Sequence, residues 1–508
     1  MTALKTTLPR RLGALLLALA AAVAPLPPGH AQNVTASRPG ATPEAASARL
    51  AERIDAVLAR PQARQARWGI EVRDAASGRV LYARDAGRPM VPASNLKLVA
   101  AVAAAHHLDP GFRFRTTLYA GGEVRDGVLH GDLVLYGRGD PMISARYFPS
   151  QTAVWEMLAD SLRARGIRRV TGGVTADESF WDTERHVADW DPEDRKWWYA
   201  APVGALGFND NSIDFRILPG TAIGQPARIT GEPASEFYRL DNDSRMVAAG
   251  TGATLDFDRV PGTNRIRAFG VLPLGAGADV ESFAVEDPAR WTGVTFREAL
   301  ERRGIAFGRA EVRVVSDSAL SLSRSAPVLA EWRSPPLDKA IGPVLLNSQN
   351  WFAEALVKTL GKQVRGEGSW AAGLAVERAF LVDVAGIDSA EFVLRDGSGL
   401  SALNRVTPHA LVNLLDYVRR TPRQAIVRQA MPVSAASTGS LRARLTDLPG
   451  RVAAKTGYIG GMDTLSGYLA MPDGREILFS IMANESGQPS ARMKALIDDV
   501  VRAIAAEA

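Results

Sequence analysis

Ten residues, Val91-Pro92-Ala93-Ser94-Asn95-Leu96-Lys97-Leu98-Val99-Ala100, restrict this chain more than any others: a serine and a lysine stand three residues apart at the head of an apolar run that reads as a helix. One helical turn places both side chains on one face. A serine hydroxyl is a poor nucleophile at its own pKa and needs an adjacent base, which a lysine amine becomes once its surroundings depress its pKa. Serine with lysine is thus an alternative to serine with histidine. The same residues also suit a serine N-cap followed by a solvated lysine. Residue usage sharpens the choice, because Lys and Arg total 60 yet only eight are lysines, and Lys97 alone has a serine three residues before it. Arginine stays protonated and cannot accept a proton, so general-base work is one reason to keep an amine here.

With 508 residues and 46% hydrophobic content, the chain can bury a large core and divide into roughly two to three domains. The formal charge of +5 includes Lys5, Arg10 and Arg11, which lie in an acid-free stretch of 31 residues, so the remainder carries no field that would attract nucleic acid. That first stretch reads as a secretory signal, with a basic start, an apolar run from Leu12 to Leu26, and Pro27-Pro28-Gly29-His30-Ala31 before the expected cleavage. The run is short and interrupted by proline against the roughly 20 residues a membrane span needs. A soluble periplasmic chain with no transmembrane anchor after cleavage is therefore expected. Cysteine is absent, which excludes disulfides, thiol chemistry and a lipidated N-terminal cysteine.

Helical spacing from Glu44 to Ala63 precedes a hairpin of Gly69 to Arg73 and Arg79 to Tyr82. The Ser94 helix runs to His106-His107; no carboxylate or third histidine stands at ligand spacing there, so neither a metal nor another cofactor is expected. Short strands are read at Phe114 to Ala120, Val124 to Leu129, Asp132 to Tyr136 and Val170 to Asp177, with a helix at Ala153 to Arg165. Glu178 to Trp198 is an acidic, Trp-rich stretch without a period, suited to a functional loop or to a lid over a core. Short strands between Ser212 and Val271 suggest a small β-rich unit, and the Ser- and Pro-rich run from Ser316 to Pro336 a connection. Helices follow at Leu337 to Leu346, Trp351 to Val364, Val376 to Val384 and Thr407 to Arg419, then strands at Val452 to Gly457, Thr464 to Ala470 and Ile477 to Ala483. A last helix with Met493, Leu496, Ile497, Val500, Val501 and Ile504 on one face is expected to dock on that sheet.

Two further stretches gain meaning from Ser94 and Lys97. Ser348-Gln349-Asn350 supplies a hydroxyl and an amide at a helix junction, and Lys455-Thr456-Gly457 lies on a strand whose glycine lets a ligand approach the backbone. The order Ser-x-x-Lys, Ser-x-Asn, Lys-Thr-Gly resembles the signature set of penicillin-binding proteins and serine β-lactamases. The long gap between Ser94 and Ser348 is similar to that of the class C low-molecular-mass penicillin-binding proteins, the D-alanyl-D-alanine carboxypeptidase/endopeptidase family. Gly139-Asp140-Pro141, Asp396-Gly397-Ser398-Gly399-Leu400-Ser401, Thr438-Gly439-Ser440-Leu441 and Leu465-Ser466-Gly467-Tyr468 agree with it.

The resemblance implies an α+β fold, a transpeptidase/β-lactamase-like domain (antiparallel sheet with helices on both faces) carrying two inserted, β-rich domains. The first domain would comprise 32–112 and 326–508, the second 113–210 and 290–325, and the third 211–289, after a signal peptide at 1–31. It implies that Ser94 is the acylated nucleophile, Lys97 its base, Ser348 a relay to the leaving amine and Asn350 a contact to the substrate amide. Lys455 and Thr456 would hold the terminal carboxylate, and the N–H groups of Ser94 and Tyr458 the oxyanion. Gln349 replaces a frequent Asp, and Tyr458 a frequent Thr or Ser. Substrates would be peptidoglycan stem peptides and cross-links, with β-lactams as covalent inhibitors. Asp177, at the head of the acidic stretch, is expected to read a free amine of the stem peptide. A serine β-lactamase and a non-catalytic periplasmic peptidoglycan-binding protein are the competing readings.

Overall fold

The computed structural model describes residues 43–323 and 325–507; the signal expected over 1–31 lies outside them. Five antiparallel strands form the sheet that organises the chain ends, in the order Val80–Arg84, Arg67–Asp74, Glu476–Asn484, Met462–Ala470, Val452–Ile459. Strand alternation gives this sheet two apolar faces. Phe479 and Ile481 point to the helices Pro43–Leu58 and Ser490–Ala505, where Met493, Ile497, Val500 and Val501 are buried as their spacing requires. Leu478 and Met482 point the other way, into the core shared with helices Lys97–His107, Asn350–Arg365 and Pro408–Arg420.

The second sheet has seven strands and mixed direction. Its centre is the hairpin Arg115–Arg125 and Val128–Gly137, where the sequence suggested three shorter strands. Asp126-Gly127, both at positive φ, form the two-residue turn that lets the strands run long. Val174–Asp177 and Val312–Val315 add parallel to this hairpin, and helices Ala153–Ala164 and Pro288–Arg302 pack against the sheet. Val328–Arg333 lies in the run read as a connection and in the range assigned to the first domain. It is instead an edge strand of the second sheet, paired with Arg115–Tyr119.

Between residues 212 and 284 lie three small sheets of two or three strands. Phe215 stacks on Phe257 at 5.1 Å, and Phe283 and Trp291 extend the same apolar cluster into the second sheet. The small sheets and the second sheet thus share one apolar core. The architecture is the α+β layering expected, an antiparallel sheet covered on both faces with β-rich insertions between Ser94 and Ser348.

Candidate active site

Ser94 sits in a 3-10 turn, Ala93–Leu96, which continues directly into the α-helix Lys97–His107. Every residue of that helix from Lys97 to Ala105 is buried, and Lys97 is the single charge among them. The N-cap reading of Ser94 does not hold, because Leu96 occupies the cap position and no side chain caps the helix. Lys97 Nζ instead donates to Ser94 Oγ at 2.9 Å and to the carbonyl of Ser398 at 2.6 Å. Burial pushes the Lys97 amine down to about 7, against the upward pull of Glu354 and Asp396. A lysine so placed spends half its time neutral near pH 7 and can accept the serine proton.

The turn is held from three sides. Asn95 Nδ2 donates to Ser466 Oγ on the central sheet at 2.7 Å, and Thr464 Oγ1 to the carbonyl of Pro92 at 2.9 Å. Gly399, at φ 80°, lies so close that a Cβ there would overlap the carbonyl oxygen of Ala93. Ala93 itself has φ 46°, and Ser348 has φ 60°. Left-handed backbone at non-glycine residues persists only where surroundings over-determine it. Both serines of the site thus stand on or beside strained backbone.

Ser348 separates helices Leu337–Leu346 and Asn350–Arg365. Lys455 Nζ donates to Ser348 Oγ at 2.9 Å and to the carbonyl of Thr456 at 2.7 Å. Lys455 is fully buried; burial first and the Lys97 charge second hold it well below the usual lysine range. Burial is the main cause at both amines. Asn350 Nδ2 donates to the carbonyl of Tyr199 at 2.6 Å, and Thr456 Oγ1 to Ser440 Oγ at 2.7 Å.

The strand carrying Lys455 is the sheet edge. Ala454 N–H bonds outward to Pro432, so by strand parity the N–H groups of Thr456 and Tyr458 also face away from the sheet. A Cβ on Gly457 would overlap Thr464 Oγ1 and come 3.0 Å from the Ser94 nitrogen, so only glycine lets the strand lie against the Ser94 turn. The Tyr458 side chain is 48% exposed, with Lys494 Nζ 5.3 Å from its ring centre.

Asp177 is not brought to this cleft. It is 1% exposed, with Oδ1 accepting from Ser179 N–H at 3.0 Å and Oδ2 from Ser321 Oγ at 2.5 Å, and it lies at the end of a strand of the second sheet. The part of the acidic stretch that does reach the cleft is its far end, where Tyr199 supplies the carbonyl for Asn350 and its hydroxyl donates to Asp194 at 2.7 Å. Sequence reading also missed Ser398, whose contribution is a backbone carbonyl, and Glu354, although four residues from Asn350 to Glu354 is one helical face. Among the described residues no group of three or more His, Asp or Glu side chains could hold a metal ion.

A family model described as the D-Ala-D-Ala carboxypeptidase 3 (S13) family matches residues 50–504. The chain is 37% identical over 471 residues to a D-alanyl-D-alanine carboxypeptidase of Actinomadura sp. (strain R39), covering 89% of this chain and 85% of that one. It is 25% identical over 400 residues to D-alanyl-D-alanine carboxypeptidase DacB of Haemophilus influenzae, covering 77% and 79%. The crystal structure of penicillin binding protein 4 (dacB) from Haemophilus influenzae aligns with a TM-score of 0.77 at 20% identity, over 89% of this chain and 98% of that one, which shows a common fold.

Proposed function

Because this chain belongs to the D-Ala-D-Ala carboxypeptidase 3 (S13) family of serine D,D-peptidases, we propose that the Ser94 cluster performs acyl transfer on peptidoglycan stem peptides and cross-links. The observation that carries this reading is the buried Lys97 amine, down to about 7 and 2.9 Å from Ser94 Oγ. Ser94 Oγ attacks the carbonyl before a terminal D-alanine while its proton passes to Lys97 Nζ. The N–H groups of Ser94 and Tyr458 meet the oxyanion that forms, one heading the helix and one on the open strand edge. As the C–N bond breaks, the leaving amine takes the Ser348 hydroxyl proton, which Lys455 replaces across their 2.9 Å hydrogen bond. Lys97 gives its proton up through solvent to Lys455 and is neutral again. It then takes a proton from the water that attacks the ester and hands it to Ser94 Oγ as the acid leaves, which frees Ser94.

The paired hydroxyls of Thr456 and Ser440 hold the terminal carboxylate, whose charge also favours the cationic form of Lys455. Asn350, fixed by the carbonyl of Tyr199, orients the substrate amide, and the acidic end of the loop at Asp194 faces a free amine of the stem peptide. A β-lactam follows the same attack at Ser94, a reading supported by the β-lactam complex of the Haemophilus influenzae protein. Export through the leader of 31 residues places the mature chain in the periplasm. Among the described residues no helix is long and apolar enough to cross a membrane.

Labelling with a fluorescent penicillin tests the reading. A lasting band that Ser94→Ala abolishes supports it; a fleeting band would mean a β-lactamase, and no band a non-catalytic binding protein.

A further inference from the structure

For Lys97 to take the Ser94 proton, the lone pair of its neutral amine must point at Ser94 Oγ, so its N–H bonds must point elsewhere. A carbonyl can only accept. Ser398 O, 2.6 Å from Nζ, therefore claims an N–H and turns the amine so that its lone pair is free for Ser94. What holds that carbonyl is a loop folded around two buried carboxylates. Glu354 Oε1 accepts from Ser398 N–H at 2.8 Å, and its Oε2 accepts from Gly397 N–H at 3.0 Å and Trp370 Nε1 at 2.8 Å. Asp396 accepts from Gly399 N–H at 2.7 Å, Ser401 N–H at 2.6 Å, Asn404 Nδ2 at 2.9 Å and Trp190 Nε1 at 2.9 Å. Glu354, Asp396 and Lys97 are all fully buried.

The geometry points to Glu354 as a positioning residue for the general base: it clamps the backbone at Gly397 and Ser398 so that the Ser398 carbonyl orients Lys97 toward Ser94. This rests on Lys97 being the base. Asn350 and Glu354 share one face of one helix, so the amide assigned to the substrate and the carboxylate behind the base move as a unit. Glu354 also supplies negative charge to the ammonium that forms when Lys97 is protonated, a role that a packing residue lacks.

The charged and titratable groups around Lys97 are Glu354 on the helix, Asp396 on the loop, Glu377 behind both and Lys455 on the strand. Burial and the Asp396 charge push Glu354 up to about 7, so it titrates in the same window as Lys97. Burial, then Glu354 and Asp396, drive Glu377 well above the carboxylate range; neither of its oxygens has a hydrogen-bond partner. Lys455 repels charge on Lys97, so Glu354 and Asp396 are the groups that favour the protonated amine. Removing the Glu354 charge lowers the proton affinity of Lys97, which moves the rising limb of the acylation rate to lower pH. Losing its hydrogen bonds loosens the carbonyl and lowers the plateau.

The test is the second-order rate of penicillin acylation between pH 5 and 9 for the mature chain, Glu354→Gln and Trp370→Phe, each with a melting curve. Glu354→Gln is expected to lower the plateau about ten- to a hundred-fold, as misplacing a reacting group by up to about 1 Å does, and to move the limb to lower pH. Trp370→Phe removes one donor to Glu354, makes it easier to protonate, and should shift the limb the same way by less. It keeps the proposal testable if Glu354→Gln does not fold. A lowered plateau with an unmoved limb in either folded variant would assign Glu354 to packing alone and overturn the proposal, as would wild-type behaviour of both. Acylation of Lys97→Arg at the wild-type rate would instead remove Lys97 as the base and with it the premise, an outcome separate from anything the Glu354 variants report.

Discussion

Lys97 and Lys455 are both fully buried, and each donates to a serine hydroxyl at 2.9 Å, yet the protein backs them differently. Behind Lys97 stand two buried carboxylates, Glu354 and Asp396, which offset part of the desolvation and leave the amine at about 7. Beside Lys455 the charge that counts is Lys97 itself, and among the described residues no carboxylate opposes its fall. In the proposed mechanism the same residue type at the same depth is a base poised near neutrality in one pocket, and in the other a relay that gains a full charge when an anion arrives. Burial alone makes a lysine neutral; the carboxylates behind it set the pH at which it works.

The largest way to break this contrast is Lys97→Arg. A guanidinium cannot deprotonate, so penicillin acylation should fall about a thousand-fold, the scale of losing a general base. Lys455→Arg should cost less, about ten- to a hundred-fold, because a guanidinium still faces a carboxylate but cannot return a proton to Ser348. If Lys97→Arg acylates faster than Lys455→Arg, the two roles are exchanged. Thr456→Val removes one hydroxyl of the pair with Ser440 and should weaken turnover of substrates with a free terminal carboxylate about tenfold, one hydrogen bond to a charged group. Amidated substrates, lacking that charge, should respond less. The smallest effect is at Asp177→Ala, which should leave the ratio of activity on amine-bearing and uncharged stem peptides unchanged and lower stability by about 1–3 kcal/mol through the orphaned Ser321 and Ser179 donors. A changed ratio would return Asp177 to the substrate site.

What the sequence made legible was local. Ser94 and Lys97 lie one turn apart, Ser348 and Asn350 flank a helix start, and Lys455 to Gly457 sit on a strand, so periodicity placed each on its own element, while only the resemblance of the three motifs to a known set joined them. Glu354 was one more turn along the same helix but carried no motif, and Ser398 acts through a carbonyl that every residue possesses. Acidic composition says where charge is abundant and nothing about which way a carboxylate points, and that of Asp177 is bonded to Ser179 and Ser321. Val328–Arg333 escaped because its partner strand is some two hundred residues earlier and the Ser- and Pro-rich flanks imitate a linker. Asp126-Gly127, a strong hairpin signal, went unused, and one long hairpin was divided into three strands.

The central claim, that a carboxylate-backed Lys97 activates Ser94, meets its most direct test in the pH dependence of penicillin acylation of the mature wild-type chain. Only the neutral amine accepts the serine proton, so below its pKa the rate should climb about tenfold per pH unit, and above it level off. The account predicts a midpoint near pH 7 and an adduct on Ser94 alone. A rate that is flat from pH 5 to 9, or an adduct on another residue, would contradict it.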